Sequence, residues 1–201
     1  MPPPATATAT VPTADRVRPF RWTRKQYYRM AEQGFFNGRR VELIEGRIYR
    51  MAPQGEPHVM AVNKGLRALQ AAFGGAYYVR PQNPLNLGDR SDPQPDLAVV
   101  PGRPEDHKET PRSALLVVEV SLTTLAYDRG RKASLYAKAG ILDYWLVNVG
   151  ERRLELYRTP QPDPAMPYGF GYAPPTILGP DDTVTPLAKL DARVAVRDLL
   201  P

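Results

Sequence analysis

The stretch "ALLVVEV" at residues 114–120 decides the fold, because it is apolar at almost every position. A strand that is buried on one face alternates apolar and polar residues, whereas a short continuous apolar run is typical of a strand covered on both faces. The stretch therefore predicts a central strand in a layered α/β protein.

Glu119 is the exception within this strand. An unpaired buried carboxylate is very unfavourable, so this side chain must be paired with a cation, protonated, bound to a metal, or placed where the strand opens into a cleft. A buried ion pair and a functional site account for the residue equally well. Glu119 alone does not decide between them.

Helices and further strands are predicted on both sides of this strand. The predicted helices lie at about residues 23–33, 58–73 and 128–139. A β-hairpin is predicted at 39–53 with its turn at Glu45-Gly46, and the other strands are predicted at 76–81, 96–100, 141–149 and 153–158. Residues 160–182 are predicted to form a long loop with at most one short strand near 168–173, and residues 190–200 a last strand or short helix.

The composition restricts the kinds of site that the chain can form. Its 201 residues include no Cys and two His, which are His58 and His107. Disulfides and thiolate metal sites are therefore excluded, and two histidines cannot form a histidine-rich zinc site alone. Any bound metal is expected to have oxygen ligands.

Residues 1–19 are rich in Pro, Ala and Thr and have almost no bulky apolar side chains. They are predicted to be a disordered tail, because they cannot offset their own ordering entropy, and residues 20–201 are predicted to form a single domain. No apolar run approaches the roughly 18 residues of a membrane span, and the N-terminus lacks the apolar core of a signal peptide. We therefore expect a cytoplasmic protein with no membrane partner.

The net charge of +6 arises in residues 1–50, which hold ten Lys or Arg and four Asp or Glu. The basic residues of this segment are Arg16, Arg18, Arg21, Arg24, Lys25, Arg29, Arg39, Arg40, Arg47 and Arg50. Such a concentration favours a surface that faces a polyanion. A solvated helix face with a basic tail is an equally good explanation.

A second carboxylate, Asp96, lies in "SDPQPDLAVV" (residues 91–100), directly after a proline and at the start of a predicted strand. Asp92 in the same stretch is predicted to be a turn residue. Adjacent strands can bring Asp96 and Glu119 within reach of one cation, and the main-chain carbonyl of Val120 with several waters would complete the oxygen site that Mg²⁺ prefers. Such a site suits phosphodiester hydrolysis, because the ion polarises the phosphoryl oxygen and lowers the pKa of an attacking water.

The following helix supplies a cation, Lys132, and places Asp128 and Tyr136 on the same face, one turn to either side. Lys132 is the candidate for orienting or activating the attacking water. Alternatively, the four-residue spacing of Asp128 and Lys132 could form only a surface ion pair.

Together these residues resemble the PD-(D/E)XK nuclease superfamily, and within it the DUF820-like Uma family of restriction endonucleases. The resemblance covers about residues 20–158 and is carried by "VELIEGRIYRMAP" (41–53), His58, "PQPDLAVV" (93–100), "LLVVEVS" (115–121) and "DRGRKASLYAKAGILDYWLVN" (128–148). It implies a restriction-endonuclease-like core, in which helices flank a mixed β-sheet, and Mg²⁺- or Mn²⁺-dependent cleavage of DNA.

The resemblance assigns the motif aspartate to Asp96 and the second acidic residue to Glu119, both as catalytic metal ligands. The superfamily usually has a lysine two residues after this glutamate, where this chain has Ser121. The resemblance then moves the lysine role to Lys132. The serine also keeps open a second hypothesis, a nuclease-fold protein that binds nucleic acid or regulates without turnover. A third hypothesis is an oligomeric structural protein whose acidic residues form a buried polar network.

Four other residues are candidates for lining the pocket: Glu42, His58, Asp128 and Tyr136. One of Glu42 and Glu45 could be an extra carboxylate in the cleft, although both could be exposed hairpin charges. His58 opens a helix and either lines the pocket or lies on the surface. Tyr136 is also typical of core packing, because it lies in a strongly apolar-patterned element.

The sequence contains no zinc finger or long basic helix that would specify a DNA target. Cutting both strands of a duplex is easiest with two active sites related by a two-fold axis. That task, rather than any particular residue, favours a homodimer.

Overall fold

The structure is a computed structural model that describes residues 18–201. Apart from residues 18 and 19, the predicted disordered tail lies outside this range, as does Arg16. The helices are α1 (Arg24–Glu32), α2 (Glu56–Phe73), α3 (Leu125–Tyr127) and α4 (Ala133–Lys138). The strands are β1 (Val41–Ile44), β2 (Arg47–Arg50), β3 (Tyr77–Pro81), β4 (Leu97–Pro101), β5 (Leu116–Ser121), β6 (Asp143–Asn148), β7 (Arg153–Arg158), β8 (Pro160–Pro162), β9 (Phe170–Tyr172), β10 (Thr176–Leu178), β11 (Thr183–Val184) and β12 (Val194–Ala195).

A six-stranded sheet with the order β10-β7-β6-β5-β4-β3 forms the centre of the fold. Strands β5 and β6 are parallel, and every other neighbouring pair in this sheet is antiparallel. The predicted mixed sheet flanked by helices is therefore confirmed. The hairpin β1–β2 forms a separate two-stranded sheet.

Strand β5 is buried along its whole length, as the apolar stretch predicts. On one face Val118 packs in an apolar cluster that contains Leu69 of α2. On the other face Val117 packs in a second cluster that contains Ala133 of α4. Successive residues of a strand point to opposite faces, so Glu119 lies on the α4 face.

The N-terminal helix and the hairpin follow their sequence signals closely. Thr23 caps α1, and Gln26 completes the predicted capping box. Glu45 and Gly46 both have positive φ angles, 47° and 75°, as the tight two-residue hairpin turn requires. A Cβ at Gly46 would lie 2.8 Å from the Cβ of Arg21, so glycine is needed for space as well.

Asp92 is not the turn residue that the sequence predicts. It is buried, and its main-chain N–H donates to the carbonyl of Leu43 in β1. Its carboxylate accepts hydrogen bonds from Arg24 Nε at 2.6 Å and from the Tyr28 hydroxyl at 2.7 Å. Asp92 therefore ties α1 and the hairpin to the loop that precedes β4.

The secondary structure of two segments differs from the prediction. The region 160–182, predicted to be a loop with at most one strand, contains β8, β9 and β10, and β10 pairs with β7 as an edge of the main sheet. The predicted helix 128–139 contains a π-helical turn, Asp128–Lys132, between α3 and α4. The carbonyl of Asp128 accepts from the N–H of Ala133, five residues on, and from the Tyr144 hydroxyl at 3.1 Å.

The last predicted element is both a strand and a helical turn, since β12 is followed by a 3-10 turn at Val196–Asp198. None of the helices within residues 18–201 has the length and hydrophobicity that a membrane span requires.

Candidate active site

A cleft of about 490 Å³ opens between the β1–β2 hairpin, the N-terminus of α2 and the end of β5. Seven of the residues predicted for the site line this cleft: Glu42, His58, Asp96, Glu119, Val120, Asp128 and Lys132. The structure thus brings together residues that are spread over 91 positions of sequence, from 42 to 132 counted inclusively.

Asp96 and Glu119 are linked across adjacent strands. Leu97 of β4 pairs with Val118 of β5, which places the residue before β4 beside Glu119. The main-chain N–H of Asp96 donates to Glu119 Oε2 at 3.3 Å, and the N–H of Val120 donates to Asp96 Oδ2 at 2.9 Å. Both carboxylates are nearly buried and lie at the same end of the cleft.

Lys132 points into the protein rather than to solvent, and only 3% of its surface is exposed. Its Nζ donates to Glu119 Oε1 at 3.0 Å and to Glu42 Oε2 at 2.8 Å. The alternative of a surface ion pair with Asp128 is therefore wrong: the Asp128 carboxylate accepts from the Thr124 hydroxyl at 2.6 Å instead.

The electrostatics of this cluster favour a charged lysine. Burial lowers the pKa of Lys132, but the attraction of the Glu119 and Glu42 carboxylates outweighs burial and holds the pKa well above its usual value. Burial raises the pKa of Glu119, while the charge of Lys132 opposes that rise. Glu119 is thus easier to protonate than an exposed glutamate, and Lys132 is harder to deprotonate than an exposed lysine.

Tyr136 does not line the cleft, because its ring is fully buried in the apolar cluster under α4. Its hydroxyl donates to Glu119 Oε1 at 2.6 Å, so it supports the carboxylate from behind. Burial raises the pKa of this phenol well above its usual value, which keeps the hydroxyl a proton donor.

Two side chains hold the carboxylate of Asp96. His58 Nε2 lies 3.1 Å from Asp96 Oδ2, and Gln82 Nε2 donates to Asp96 Oδ1 at 3.3 Å. Gln82 also donates its main-chain N–H to the carbonyl of Asp96 and has a left-handed φ of 49°, which is uncommon for a residue with a side chain. The sequence gives no signal for Gln82, since neither its φ angle nor its partner follows from a local pattern.

The hairpin supplies one carboxylate to the cleft. Glu42 is buried and accepts hydrogen bonds from the Tyr127 hydroxyl at 3.2 Å and the N–H of Gln94 at 3.2 Å. Glu45 instead forms an ion pair with Lys138 at 2.9 Å, outside the cleft.

The basic N-terminal segment is only partly available to a partner. Arg24 is used in the ion pair with Asp92, and Arg21 Nη1 donates to the carbonyl of Glu45. Arg40 and Arg50 are exposed, line the cleft, and form no ion pair within residues 18–201.

A family model described as "Uma2: Putative restriction endonuclease" matches residues 24–196, which is most of the chain. The chain belongs to the Uma2 family. The resemblance inferred from the sequence is therefore confirmed. Membership of a nuclease family also supports the prediction that the protein is a hydrolase.

The fold of this Uma2 protein is similar to the crystal structure of a putative nuclease belonging to DUF820 from Anabaena variabilis ATCC 29413. The two share 16% sequence identity with a TM-score of 0.64, and the match covers 88% of this chain and 96% of that chain. At this identity the likeness shows a common fold. No curated protein matches the chain.

Restriction-endonuclease-like families usually depend on a divalent metal, which the residues of the Uma2 cleft would have to hold. No group of three or more His, Asp or Glu side chains within residues 18–201 could hold a metal ion. Asp96, Glu119 and Val120 all line the cleft, so two carboxylates are available there and the main-chain carbonyl of Val120 would be the third ligand. This set fits Mg²⁺ or Mn²⁺, because such ions commonly bind through one or two carboxylates and retain several waters.

Proposed function

We propose that the protein is a Mg²⁺- or Mn²⁺-dependent DNA endonuclease that hydrolyses phosphodiester bonds. Asp96, Glu119 and the carbonyl of Val120 would hold the metal, and Lys132 would assist the attacking water. The contact that carries this proposal is the 3.0 Å hydrogen bond from Lys132 Nζ to Glu119, since it supplies a lysine to the acidic pair although Ser121 stands in the usual lysine position.

When bound, the metal would polarise the phosphoryl oxygen and lower the pKa of a coordinated water. The chain's own carboxylates would fix where such an ion sits. Asp96 is restrained by His58 and Gln82, and Glu119 by Tyr136 and Lys132, so neither carboxylate has to be ordered when substrate arrives.

Lys132 would act as a cation and hydrogen-bond donor rather than as a base. Its raised pKa keeps Nζ protonated at neutral pH, so it has no free lone pair to accept a proton from water. From its position between Glu119 and Glu42, the ammonium group can orient a water and stabilise negative charge that develops on the phosphoryl oxygens. Glu42 would hold Lys132 in place.

A nuclease assay of the full-length protein tests this proposal. Plasmid and single-stranded DNA are incubated with Mg²⁺, with Mn²⁺, and with excess chelator, using the wild type, Asp96→Asn and Glu119→Gln. We expect cleavage that needs the metal and is lost in both variants. Asp92→Asn is the matched control, because Asp92 is an equally buried aspartate of the same segment that does not line the cleft.

The assay also separates this proposal from its alternative. Salt-sensitive DNA binding without cleavage under any divalent ion would favour a nuclease-fold binding or regulatory protein. Absence of both DNA binding and metal binding by calorimetry would contradict both hypotheses. Sedimentation of the active species would test whether two sites act together in a homodimer.

A further inference from the structure

One wall of the cleft is aromatic and apolar. Tyr49 of β2 and Tyr127 of α3 line it, with ring centroids 5.7 Å apart and ring planes inclined by 55°. Met51 and Leu122 line it as well, and Leu122 is 41% exposed. A sugar–phosphate backbone is polar and charged, so it gives such a wall little to bind.

The two tyrosines are fixed in place by polar contacts. Tyr127 donates its hydroxyl to Glu42 Oε1 at 3.2 Å. The Arg131 guanidinium lies 5.9 Å from the centre of the Tyr49 ring, and its Nη1 donates to the Tyr49 hydroxyl at 3.3 Å. The rings therefore form a preorganised surface rather than mobile side chains that must be ordered on binding.

The hairpin register places this aromatic wall beside the acidic end of the cleft. Tyr49 lies directly opposite Glu42 in the β1–β2 pair, and Glu42 contacts Lys132. A group that rests on Tyr49 is thus close to the residues proposed to act on the phosphodiester bond.

Charge at the mouth of the cleft complements a nucleic-acid strand. Arg50 pairs with Val41 at the start of the hairpin, and Arg40 precedes that pair. Both side chains are exposed and line the cleft. Two guanidinium groups in these positions suit phosphates of the strand that leads into the cleft.

The volume of the cleft limits what can enter. About 490 Å³ is within the range of small-molecule sites, roughly 300–1,000 Å³. A base inside a duplex is covered by its stacked neighbours and its pairing partner, so it can reach an aromatic wall in a pocket only when it is unpaired and unstacked.

From these features we infer that the cleft binds one unpaired nucleotide of a DNA strand. The base lies against Tyr49 and Tyr127, and its phosphate lies at the Asp96–Glu119 end. The enzyme then acts on single-stranded or locally unpaired DNA in preference to intact duplex. This inference rests on the proposed function for the reaction at the acidic end of the cleft.

Three fluorescein-labelled probes of one sequence test the preference: a single strand, a full duplex, and a duplex with a central unpaired bubble. Cleavage by the full-length protein is measured with Mn²⁺, and binding is measured by anisotropy with the non-cleaving Asp96→Asn variant. We expect the single strand and the bubble to be cut and bound about tenfold or more better than the duplex. Equal or better cutting and binding of the duplex would overturn the inference.

The wall itself is tested with Tyr49→Leu, which removes the ring, and Tyr49→Phe, which keeps it. We expect Tyr49→Leu to weaken single-strand binding by about tenfold, and Tyr49→Phe to weaken it less, because stacking needs the ring. Tyr78→Leu is the control, since Tyr78 is a half-buried tyrosine of β3 that does not line the cleft. An equal loss in Tyr49→Leu and Tyr78→Leu would contradict a stacking role.

The two proposals fail in different ways. A protein that cuts duplex and single strand equally well is still an endonuclease, but it refutes the binding of an unpaired nucleotide. A protein that cuts neither probe yet binds the single strand through Tyr49 refutes the proposed function and retains this inference.

Discussion

Two buried glutamates on the same face of the sheet have opposite environments. Glu119 of β5 and Glu155 of β7 both pair with Leu146 of the strand between them, so they lie in one row, two strands apart. Their exposed fractions are 5% and 1%. Sequence and burial alone would give them the same role.

Their partners differ. Glu155 accepts from both Arg129 and Asn148 and from the Tyr157 hydroxyl, and no part of it lines the cleft. Within residues 18–201, Glu119 has one cationic partner, the buried Lys132, and shares it with the carboxylate of Glu42.

The pKa values follow from those partners. Burial raises the pKa of Glu155, but the hydrogen bonds from Arg129, Asn148 and Tyr157 outweigh it and lower the pKa to about 2. The pKa of Glu119 is raised. A carboxylate that is paired with an arginine of its own serves stability, whereas one that shares its cation with a second carboxylate at a cleft is suited to bind another positive group.

The largest expected effect is on the rate of DNA cleavage, in which the two glutamates should differ. Glu119→Gln should lower the rate of DNA cleavage by about a thousandfold, since it removes a charge that would hold the metal. Glu155→Gln should leave the rate per folded molecule unchanged. Initial rates at saturating Mn²⁺, corrected for the folded fraction by circular dichroism, would check this. Equal losses of cleavage rate in the two variants would contradict different roles for the two glutamates.

Lys132→Met should be the next largest change. It leaves Glu42 and Glu119 buried without a cation, which costs about 3–5 kcal/mol of unfolding free energy. Lys138→Met is the matched control on the same helical segment, because the partly exposed pair with Glu45 contributes less than about 1 kcal/mol. Urea denaturation of both variants gives the two values. A Lys132→Met loss as small as that of Lys138→Met would contradict the buried pairing.

Glu155→Gln should lower the free energy of unfolding by about 1–2 kcal/mol. The variant loses the charge-assisted hydrogen bonds from Arg129, although that arginine is about a third exposed and can be solvated in compensation. Urea denaturation near neutral pH measures the change. A loss as large as that expected for Lys132→Met would contradict the compensating solvation of Arg129.

The smallest expected effect is a dependence of the free energy of unfolding on pH in the acidic range. Since the pKa of Glu155 is about 2 in the folded protein against an ordinary 4.5, its stabilising contribution is complete above about pH 4.5 and is lost as pH falls towards 2. Wild type should therefore lose stability across this window more steeply than Glu155→Gln. Parallel pH profiles for the two proteins would refute this assignment.

Much of the site could be predicted because its residues have local signals. Glu119 interrupts an apolar strand, Asp96 follows a proline at a strand start, and Lys132 shares a helix face with Tyr136. Strand adjacency then brings the carboxylates together, and the roles proposed for all three residues stay predictions.

Residues whose environment depends on distant contacts could not be predicted. Gln82 contacts Asp96 with a left-handed φ angle that no local pattern predicts, and Asp92 is buried by partners 64 and 68 positions away in sequence. Nothing in the sequence around Tyr49 or Tyr127 indicates that the two rings line one cleft, because their proximity depends on how the hairpin packs on the helical segment. Strand β10 lies in a Pro- and Gly-rich region and is defined by pairing with β7.

The π-helical turn has a consequence for how this segment can evolve. A π turn contains one residue more than the α-helix that would replace it, and each residue of an α-helix turns the chain by about 100°. Deleting Gly130 would restore a regular helix and swing Tyr127 and Asp128 around its axis relative to Tyr136. The extra residue therefore sets the rotation of the half of the segment that meets the cleft relative to the half that packs on the sheet. A change in length here would alter that rotation, whereas a substitution would not.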